Sequence, residues 1–186
     1  MPRHHTDRLE EILDTLSAGA TTLPYLYREY FRKEDGKMVS KRTFNDFMKR
    51  LEKGEYIRIG TYDDRYRRNG NIRFAVLLGR GADMLCRKRP NREREHVRMA
   101  FPTRRTLTHE IVLAHIVRLI RKESKTRGTF QIEYIFDEHH MKRIVRYKHG
   151  KGVKQMYYPD LRVRIHPLMG SAMDINIELD AGQKTQ

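Results

Sequence analysis

Apolar residues recur every three or four positions in three stretches between residues 9 and 51, which is the period of an amphipathic helix. Thr6, Thr22 and Ser40 precede these stretches and are typical N-caps. Gly19 and Gly54 follow the first and the third stretch, where glycine commonly ends a helix. The N-terminal part is therefore predicted to form three helices around one core. The apolar stripes are Leu9, Ile12, Leu13 and Leu16, then Leu23, Leu26, Tyr27, Tyr30 and Phe31, then Phe44, Phe47, Met48 and Leu51.

After Gly54 the apolar period changes to two, which is typical of half-buried strands. Residues 56–59 predict a first short strand, and Ile72, Phe74 and Val76 alternate with other residues in a second. The segment between the strands ends in Asn69-Gly70, a favoured hairpin turn. Three helices followed by a hairpin is the order of elements in a winged helix-turn-helix. We expect such a DNA-binding domain over residues 1–80.

The second half of the chain predicts one helix followed by three strands. It is preceded by an arginine-rich stretch broken by Pro90 and Pro102, so we expect a basic connector over residues 81–105, with a short helix near 82–86. Residues 111–120 are apolar on nearly all sides, which predicts a buried helix capped by Thr108. The fold class is therefore α+β, and residues 106–186 should form a small mixed sheet with a buried helix. The three predicted strands cover residues 130–136, 157–165 and 173–179.

The charge of the chain indicates a polyanionic partner. Lysine and arginine number 39 against 24 acidic residues, giving a formal net charge of +15. No basic amphipathic helix stands out for a membrane surface, and no apolar run is long enough to span a bilayer, so nucleic acid is favoured. Cys86 is the only cysteine, which excludes an internal disulfide or a cysteine zinc site. With no signal-peptide core near the N-terminus, we expect a cytoplasmic protein without a membrane partner.

The positive charges concentrate on the elements that would read DNA. In a helix-turn-helix the second helix enters the major groove, and its exposed side meets bases and phosphates. We expect double-stranded DNA as the ligand, with Arg42 and Asn45 as candidate readers of base edges. Neutralising about six phosphates would give a log-log salt slope of about −5. The alternative is that these are ordinary solvated charges. The predicted DNA-binding residues are Ser40, Lys41, Arg42, Asn45, Lys49 and Arg50 on the helix, then Arg65, Arg67, Arg68 and Arg73 in and after the hairpin tip.

Acidic residues at two strand ends suggest a metal site. Asp160 follows Pro159, and Glu178 and Asp180 are two residues apart, so that they would share one face of a strand. If the two strands are neighbours, Asp160 can approach Glu178 across the sheet. Converging carboxylates are the ligands that Mg²⁺ or Mn²⁺ prefers. Asp160 and Glu178 are thus the predicted metal ligands. Such short motifs also occur at ordinary turns and strand ends.

Three further residues complete the candidate catalytic set. Lys184 would stabilise the negative charge that develops on a phosphodiester during cleavage. Glu110, in the first turn of the predicted buried helix, is an additional acid, and His109 would hydrogen-bond substrate or orient a water. Both residues would also simply favour the start of a helix. The candidate catalytic residues are Asp160, Glu178, Asp180, Lys184, His109 and Glu110.

Several of these segments together resemble the plasmid replication-relaxation proteins, and they are similar also to MobC-type relaxases. The resemblance is carried by the winged helix, Gly79-Arg80-Gly81-Ala82, the His109-bearing helix, Pro159-Asp160 and Glu178-Leu179-Asp180-Ala181-Gly182. It implies a PD-(D/E)XK-like nuclease core, in which Asp160 and Glu178 bind metal and Lys184 is the trailing lysine. The strict pattern has lysine at position 180, where this chain has Asp180. The core normally continues into a helix after the glutamate strand, so the resemblance implies a truncated domain or fragment.

The leading hypothesis is therefore a DNA-processing protein of a plasmid or mobile element, which nicks and relaxes DNA with a divalent metal at an origin of transfer or replication. The alternative is a non-catalytic transcriptional or replication regulator, or a relaxosome accessory protein, whose second half docks or dimerises. A third hypothesis, an RNA-binding regulator, is disfavoured because no aromatic-rich strand motif of an RNA platform is recognisable. Candidate partners besides duplex DNA are other mobilisation or replication proteins and a second copy of the chain.

Overall fold

The computed structural model describes residues 5–62, 71–88, 97, 99, 101–138, 141 and 158–179. Over these residues the chain is α+β, with five helices and two three-stranded antiparallel sheets. It divides into two compact units, Met1–Ala114 and His115–Gln186. The elements are α1 (His5–Leu16), β1 (Thr21–Thr22), α2 (Leu23–Tyr30), α3 (Lys41–Lys53), β2 (Ile57–Tyr62), β3 (Ile72–Leu77), α4 (Gly79–Lys88), α5 (Leu107–Arg127), β4 (Phe130–Asp137), β5 (Leu161–Pro167) and β6 (Met173–Ile177).

The three predicted N-terminal helices are confirmed, and so are most of their caps. The side chain of Thr22 accepts a hydrogen bond from the Tyr25 N–H at the start of α2. Ser40 caps α3, which ends at Gly54. The prediction that Thr6 caps the first helix is wrong, because α1 already begins at His5.

The first unit is organised around one large apolar cluster. Each of the three helices contributes the stripe that its period predicts, because burying that stripe is what stabilises a short helix in water. The fully buried phenylalanines Phe31 and Phe47 meet edge to face, with ring centroids 5.4 Å apart. The buried members of the cluster are Ile12, Leu13, Leu16, Leu23, Leu26, Phe31, Phe44, Phe47, Met48, Leu51, Ile57, Ala75, Leu77, Ala82 and Val97.

A three-stranded sheet in the order β1-β3-β2 completes this unit, and its first strand was not expected from the sequence. β1 is only two residues long and pairs with the middle of β3. The apolar alternation expected in β3 gives way to continuous burial from Phe74 to Leu77, because both faces of the strand are covered. Ala75 and Leu77 belong to the helical core, whereas Phe74 and Val76 pack in a second cluster with Leu107.

Helix α4 is longer than the short helix expected within residues 82–86. Its Ala82 belongs to the main core, and Leu85 is also buried. Gly81 allows a close approach to β2, because a Cβ at this position would lie 2.4 Å from the carbonyl oxygen of Tyr56. The first part of the expected basic connector is therefore a packed helix.

The second unit contains an antiparallel sheet in the order β4-β5-β6. The expectation of a mixed sheet is wrong for the described strands, since both strand pairs are antiparallel. β5 and β6 are joined by the short segment 168–172, which can only reverse the chain, whereas a parallel pair needs a crossover of a dozen or more residues. β5 starts four residues later than predicted, and β6 ends two residues earlier. Both bounds follow from the pairing of the strands, because the β5–β6 ladder ends at the pair Leu161↔Ile177.

Helix α5 is buried along one side rather than all round, which corrects the prediction of a wholly buried helix. Leu113 and Val117 are each 2% exposed, whereas Leu119 is 47% exposed. Thr108 lies inside the helix instead of capping it, because α5 begins at Leu107. None of the helices in the described part of the chain is long and apolar enough to cross a membrane.

Candidate nucleic-acid interface

Helix α3 separates its apolar and basic residues sharply. The Ser40 hydroxyl accepts a hydrogen bond from the Thr43 N–H, with oxygen and nitrogen 3.1 Å apart, which fixes the first turn. Phe44, Phe47 and Met48 point into the core, whereas Asn45 and Asp46 are exposed. The six residues predicted at this helix are all exposed: Ser40, Lys41, Arg42, Asn45, Lys49 and Arg50.

Aromatic contacts and a backbone bridge hold α3 against α2. Tyr27 donates a hydrogen bond from its hydroxyl to the carbonyl oxygen of Val39, just before α3 begins. The Tyr27 and Phe44 rings lie 5.2 Å apart between their centroids. In the turn between the helices, Arg32 and Met38 form an isolated antiparallel bridge. The contacts with α2 therefore fix the orientation of α3 and of its exposed side.

A groove of about 480 Å³ lies where α2, α3 and the start of β3 meet. Three residues predicted to bind DNA line it together: Lys41 and Asn45 from α3, and Arg73 from β3. Among the described residues that line the groove, the charged ones are all basic, and the others are apolar side chains, amides and the Tyr27 phenol. The lining residues are Leu23, Pro24, Tyr27, Arg28, Lys41, Phe44, Asn45, Asn71 and Arg73.

The groove also contains two polar residues that the sequence reasoning missed. Arg28 lies in the last turn of α2 and is exposed, and Asn71 directly precedes β3. The apolar stripe of α2 does not include Arg28, but Arg28 follows Pro24 by four positions and therefore shares its side of the helix. That spacing is the signal that identifies Arg28.

The other predicted DNA-binding residues lie away from the groove or outside the described residues. Arg42 and Lys49 are exposed on α3 but do not line the groove. The Arg50 guanidinium lies 6.0 Å from the centroid of the Phe47 ring. The hairpin-tip residues Arg65, Arg67 and Arg68 fall outside the described residues.

In the second unit, the register of β5 and β6 brings the predicted metal-binding acids to matching positions. Leu161 pairs with Ile177 at the end of the β5–β6 ladder. Asp160 precedes Leu161 and Glu178 follows Ile177, so the two acids are the next residues beyond that pair. The Asp160 carboxylate accepts a hydrogen bond from the backbone N–H of Leu179, with oxygen and nitrogen 2.7 Å apart. The Glu178 side chain is exposed. Asp160 therefore has a structural partner at the end of the sheet, beside the backbone that carries Glu178.

The remaining candidate catalytic residues belong to the first unit or lie outside the described residues. His109 and Glu110 are partly buried in the first turn of α5 and belong to the first unit, whereas Asp160 belongs to the second. Asp180 and Lys184 lie outside the described residues. Among the residues that are described, no three or more His, Cys, Asp or Glu side chains form a group able to hold a metal ion.

Comparison with known proteins gives no match: no protein-family model, no curated protein and no solved structure is significantly similar to the chain. The resemblance to plasmid replication-relaxation proteins therefore rests on the short motifs alone.

Proposed function

We propose that this chain binds double-stranded DNA in a sequence-directed manner, with α3 lying in the major groove. The observation that carries this proposal is that Lys41, Asn45 and Arg73, predicted separately from two elements, line one groove whose described charged residues are all basic. A major groove admits an α-helix, and phosphate contacts around it fix the register of that helix. The net charge of +15 adds a long-range attraction for the polyanion.

The roles of the residues follow from their chemistry. Arg28, Lys41 and Arg73 would contact phosphates, since they surround the groove as cations. Asn45 and Arg42, on the exposed side of α3, would read base edges, because an amide pairs with adenine and a guanidinium with guanine. The first unit would then act as a winged helix-turn-helix. Its element order of three helices and an antiparallel β2–β3 hairpin supports this.

The test is selection of a binding site from random duplexes, followed by titration of the selected duplex between about 50 and 300 mM salt. We expect enrichment of a defined sequence and a log-log slope of about −5. Lys41→Ala and Arg73→Ala should each reduce the slope by about 1. Arg127→Ala is the matched control, because this exposed arginine is paired with Glu123 in the second unit and should leave the slope unchanged. A slope of about −1, or no enrichment, would reject the proposal.

DNA nicking is the second candidate function, and the opposed positions of Asp160 and Glu178 favour it. Two carboxylates suffice for a magnesium ion that keeps several waters. A divalent cation bound by these two residues would polarise a phosphodiester towards hydrolysis. The chain would then process DNA at a plasmid origin of transfer or replication, together with mobilisation or replication proteins or with a second copy.

Relaxation of a supercoiled plasmid that carries the selected site separates this candidate from a non-catalytic regulator. Relaxation with Mg²⁺ or Mn²⁺ that is lost with chelator, and lost in Asp160→Asn and Glu178→Gln, would support nicking. Site-specific binding without relaxation in either metal would instead support a regulator or a relaxosome accessory protein. In both cases the duplex titration is read independently of the cleavage result.

A further inference from the structure

The middle strand of the second unit's sheet, β5, has one buried side and one partly exposed side. Leu161 and Val163 are each 1% exposed, so their side of β5 is buried. Arg162 and Arg164 alternate with them and are partly exposed. Because successive side chains of a strand point to opposite faces, the two arginines belong to the solvent side.

Two aromatic rings of β4 lie on the same side as these arginines. The register pairs Tyr134 with Arg164 and Phe136 with Arg162, and directly opposed residues of antiparallel strands share a face. The two rings are stacked, with centroids 4.3 Å apart and planes inclined by 8°. These four residues, Tyr134, Phe136, Arg162 and Arg164, are named here the platform face.

A network of polar contacts fixes one end of the platform face. The Tyr134 hydroxyl donates to a carboxylate oxygen of Asp174 at 2.8 Å, and burial together with this bond raises the pKa of Tyr134, so the hydroxyl stays protonated. Arg164 lies between Asp174 and Glu133, with its Nε 3.7 and 3.6 Å from their carboxylate oxygens. Glu133 also contacts His166. Arg164 is therefore balanced by two acids, one of which also accepts the hydrogen bond of Tyr134.

Arg162 differs from Arg164 in its surroundings. Its Nε donates a hydrogen bond to the side-chain oxygen of Asn176, with nitrogen and oxygen 3.0 Å apart. Asn176 is a neutral amide, whereas the partners of Arg164 are carboxylates. Within the described ranges no carboxylate pairs with Arg162, so its positive charge beside Phe136 is not cancelled there. The platform face thus combines a flat aromatic stack with an adjacent cation.

We propose that the platform face binds single-stranded nucleic acid, with a base stacking on the Tyr134–Phe136 pair and a backbone phosphate contacting Arg162. A parallel ring pair is extended by another flat ring, and bases of single strands bind aromatic side chains in this way. A duplex keeps its bases stacked on each other and offers none to the sheet. This site is separate in sequence and chemistry from the duplex-binding residues of α3.

The experiment measures binding of fluorescent dT and rU oligonucleotides of about 12 nucleotides to the full chain by anisotropy. The double variant Tyr134→Leu/Phe136→Leu, which keeps apolar bulk but removes both rings, should weaken binding by at least about fivefold. Leu168→Ala is the control, because this 71% exposed apolar residue of the same unit lies outside the platform face, and it should bind as the wild type does. Binding of either oligonucleotide that is weakened in the double variant supports the proposal. Comparison of the affinities for dT and rU shows whether the ligand is DNA or RNA.

If the double variant fails to fold, photo-crosslinking of the wild-type chain to an oligonucleotide that carries 5-iodouracil tests the proposal instead, because it locates the bound base on the chain. The proposal expects the crosslink in the tryptic peptide 128–142, which contains Tyr134 and Phe136. A crosslink confined to α3, or wild-type affinity in a folded double variant, would overturn it. Asn45→Ala should alter binding of the selected duplex and leave single-strand binding unchanged, so failure of the duplex proposal is distinguishable from failure of this one.

Discussion

The carboxylate of Asp160 accepts a hydrogen bond from the backbone N–H of Leu179 at 2.7 Å, across the end of the β5–β6 ladder. The last ladder pair is Leu161↔Ile177, so the N–H of Leu179 has no further residue of β5 to bond with. The Asp160 side chain supplies the acceptor instead, and this hydrogen bond is partly buried. Asp160 therefore closes the sheet end whether or not it also serves in catalysis.

Substitution of Asp160 separates these two roles. Asp160→Asn keeps an oxygen acceptor for the Leu179 N–H and removes the charge, whereas Asp160→Ala removes both. We expect the alanine variant to lose about 1–2 kcal/mol of unfolding free energy in urea denaturation, and the asparagine variant to lose less. If the carboxylate is used in nicking, both variants lose relaxation activity. Equal destabilisation by the two changes would contradict the structural role.

Asn45 and Lys41 should affect DNA binding in different ways. Asn45→Ala removes a candidate base contact, so discrimination between the selected site and random duplex should fall by about 1–3 kcal/mol, with the salt slope unchanged. Lys41→Ala should weaken binding to both duplexes alike. Parallel titrations of both duplexes measure the difference. If Asn45→Ala weakens both equally, Asn45 does not read a base.

The stability of the first unit should fall at alkaline pH through Tyr30. Burial raises the pKa of Tyr30 from 10.0 to about 12, and its hydroxyl is hydrogen-bonded to Thr15. The unfolded chain therefore loses this proton first, and the stabilisation present below pH 10 is lost as the pH rises towards 12. Tyr30→Phe cannot titrate, so its unfolding free energy should decline less steeply over this range.

The measurement for Tyr30 is urea denaturation of both proteins at several pH values, because their other titrating groups then cancel in the difference. At neutral pH the variant should be less stable by about 1 kcal/mol, since the hydrogen bond to Thr15 is missing. A difference that stays constant across the alkaline range would show that Tyr30 ionises equally in the folded and unfolded chains.

Gly81 tests the packing of α4 on β2. Alanine in place of glycine within a helix normally adds about 1 kcal/mol of stability. At position 81 the new Cβ would lie 2.4 Å from the Tyr56 carbonyl oxygen and 2.8 Å from a methyl carbon of Leu77, which forces the backbone apart. We expect Gly81→Ala to lower the unfolding free energy by about 1–3 kcal/mol. Arg87→Ala, at an exposed position of the same helix, should change it by less than about 0.5 kcal/mol.

Local patterns in the sequence were sufficient to place α1, α2 and α3. Ser40 and Gly54 bound α3 as expected, because capping involves residues only a few positions apart. The two-residue strand β1 carries no detectable period. It exists because Thr21 meets Ala75, more than fifty residues away, at the edge of β3.

The sequence by itself determined where the three N-terminal amphipathic helices lie, which side of α3 carries its basic residues, and the net charge of +15, since period, caps and charge can be read from the sequence directly. Only the tertiary structure decided that Arg73 joins Lys41 around one groove, that Tyr134 and Phe136 stack beside Arg162, and that the second sheet is antiparallel. Those relationships depend on contacts between strands and helices that are distant along the chain. No local pattern of side chains specifies such contacts, because they arise only when separate elements bury their apolar faces together.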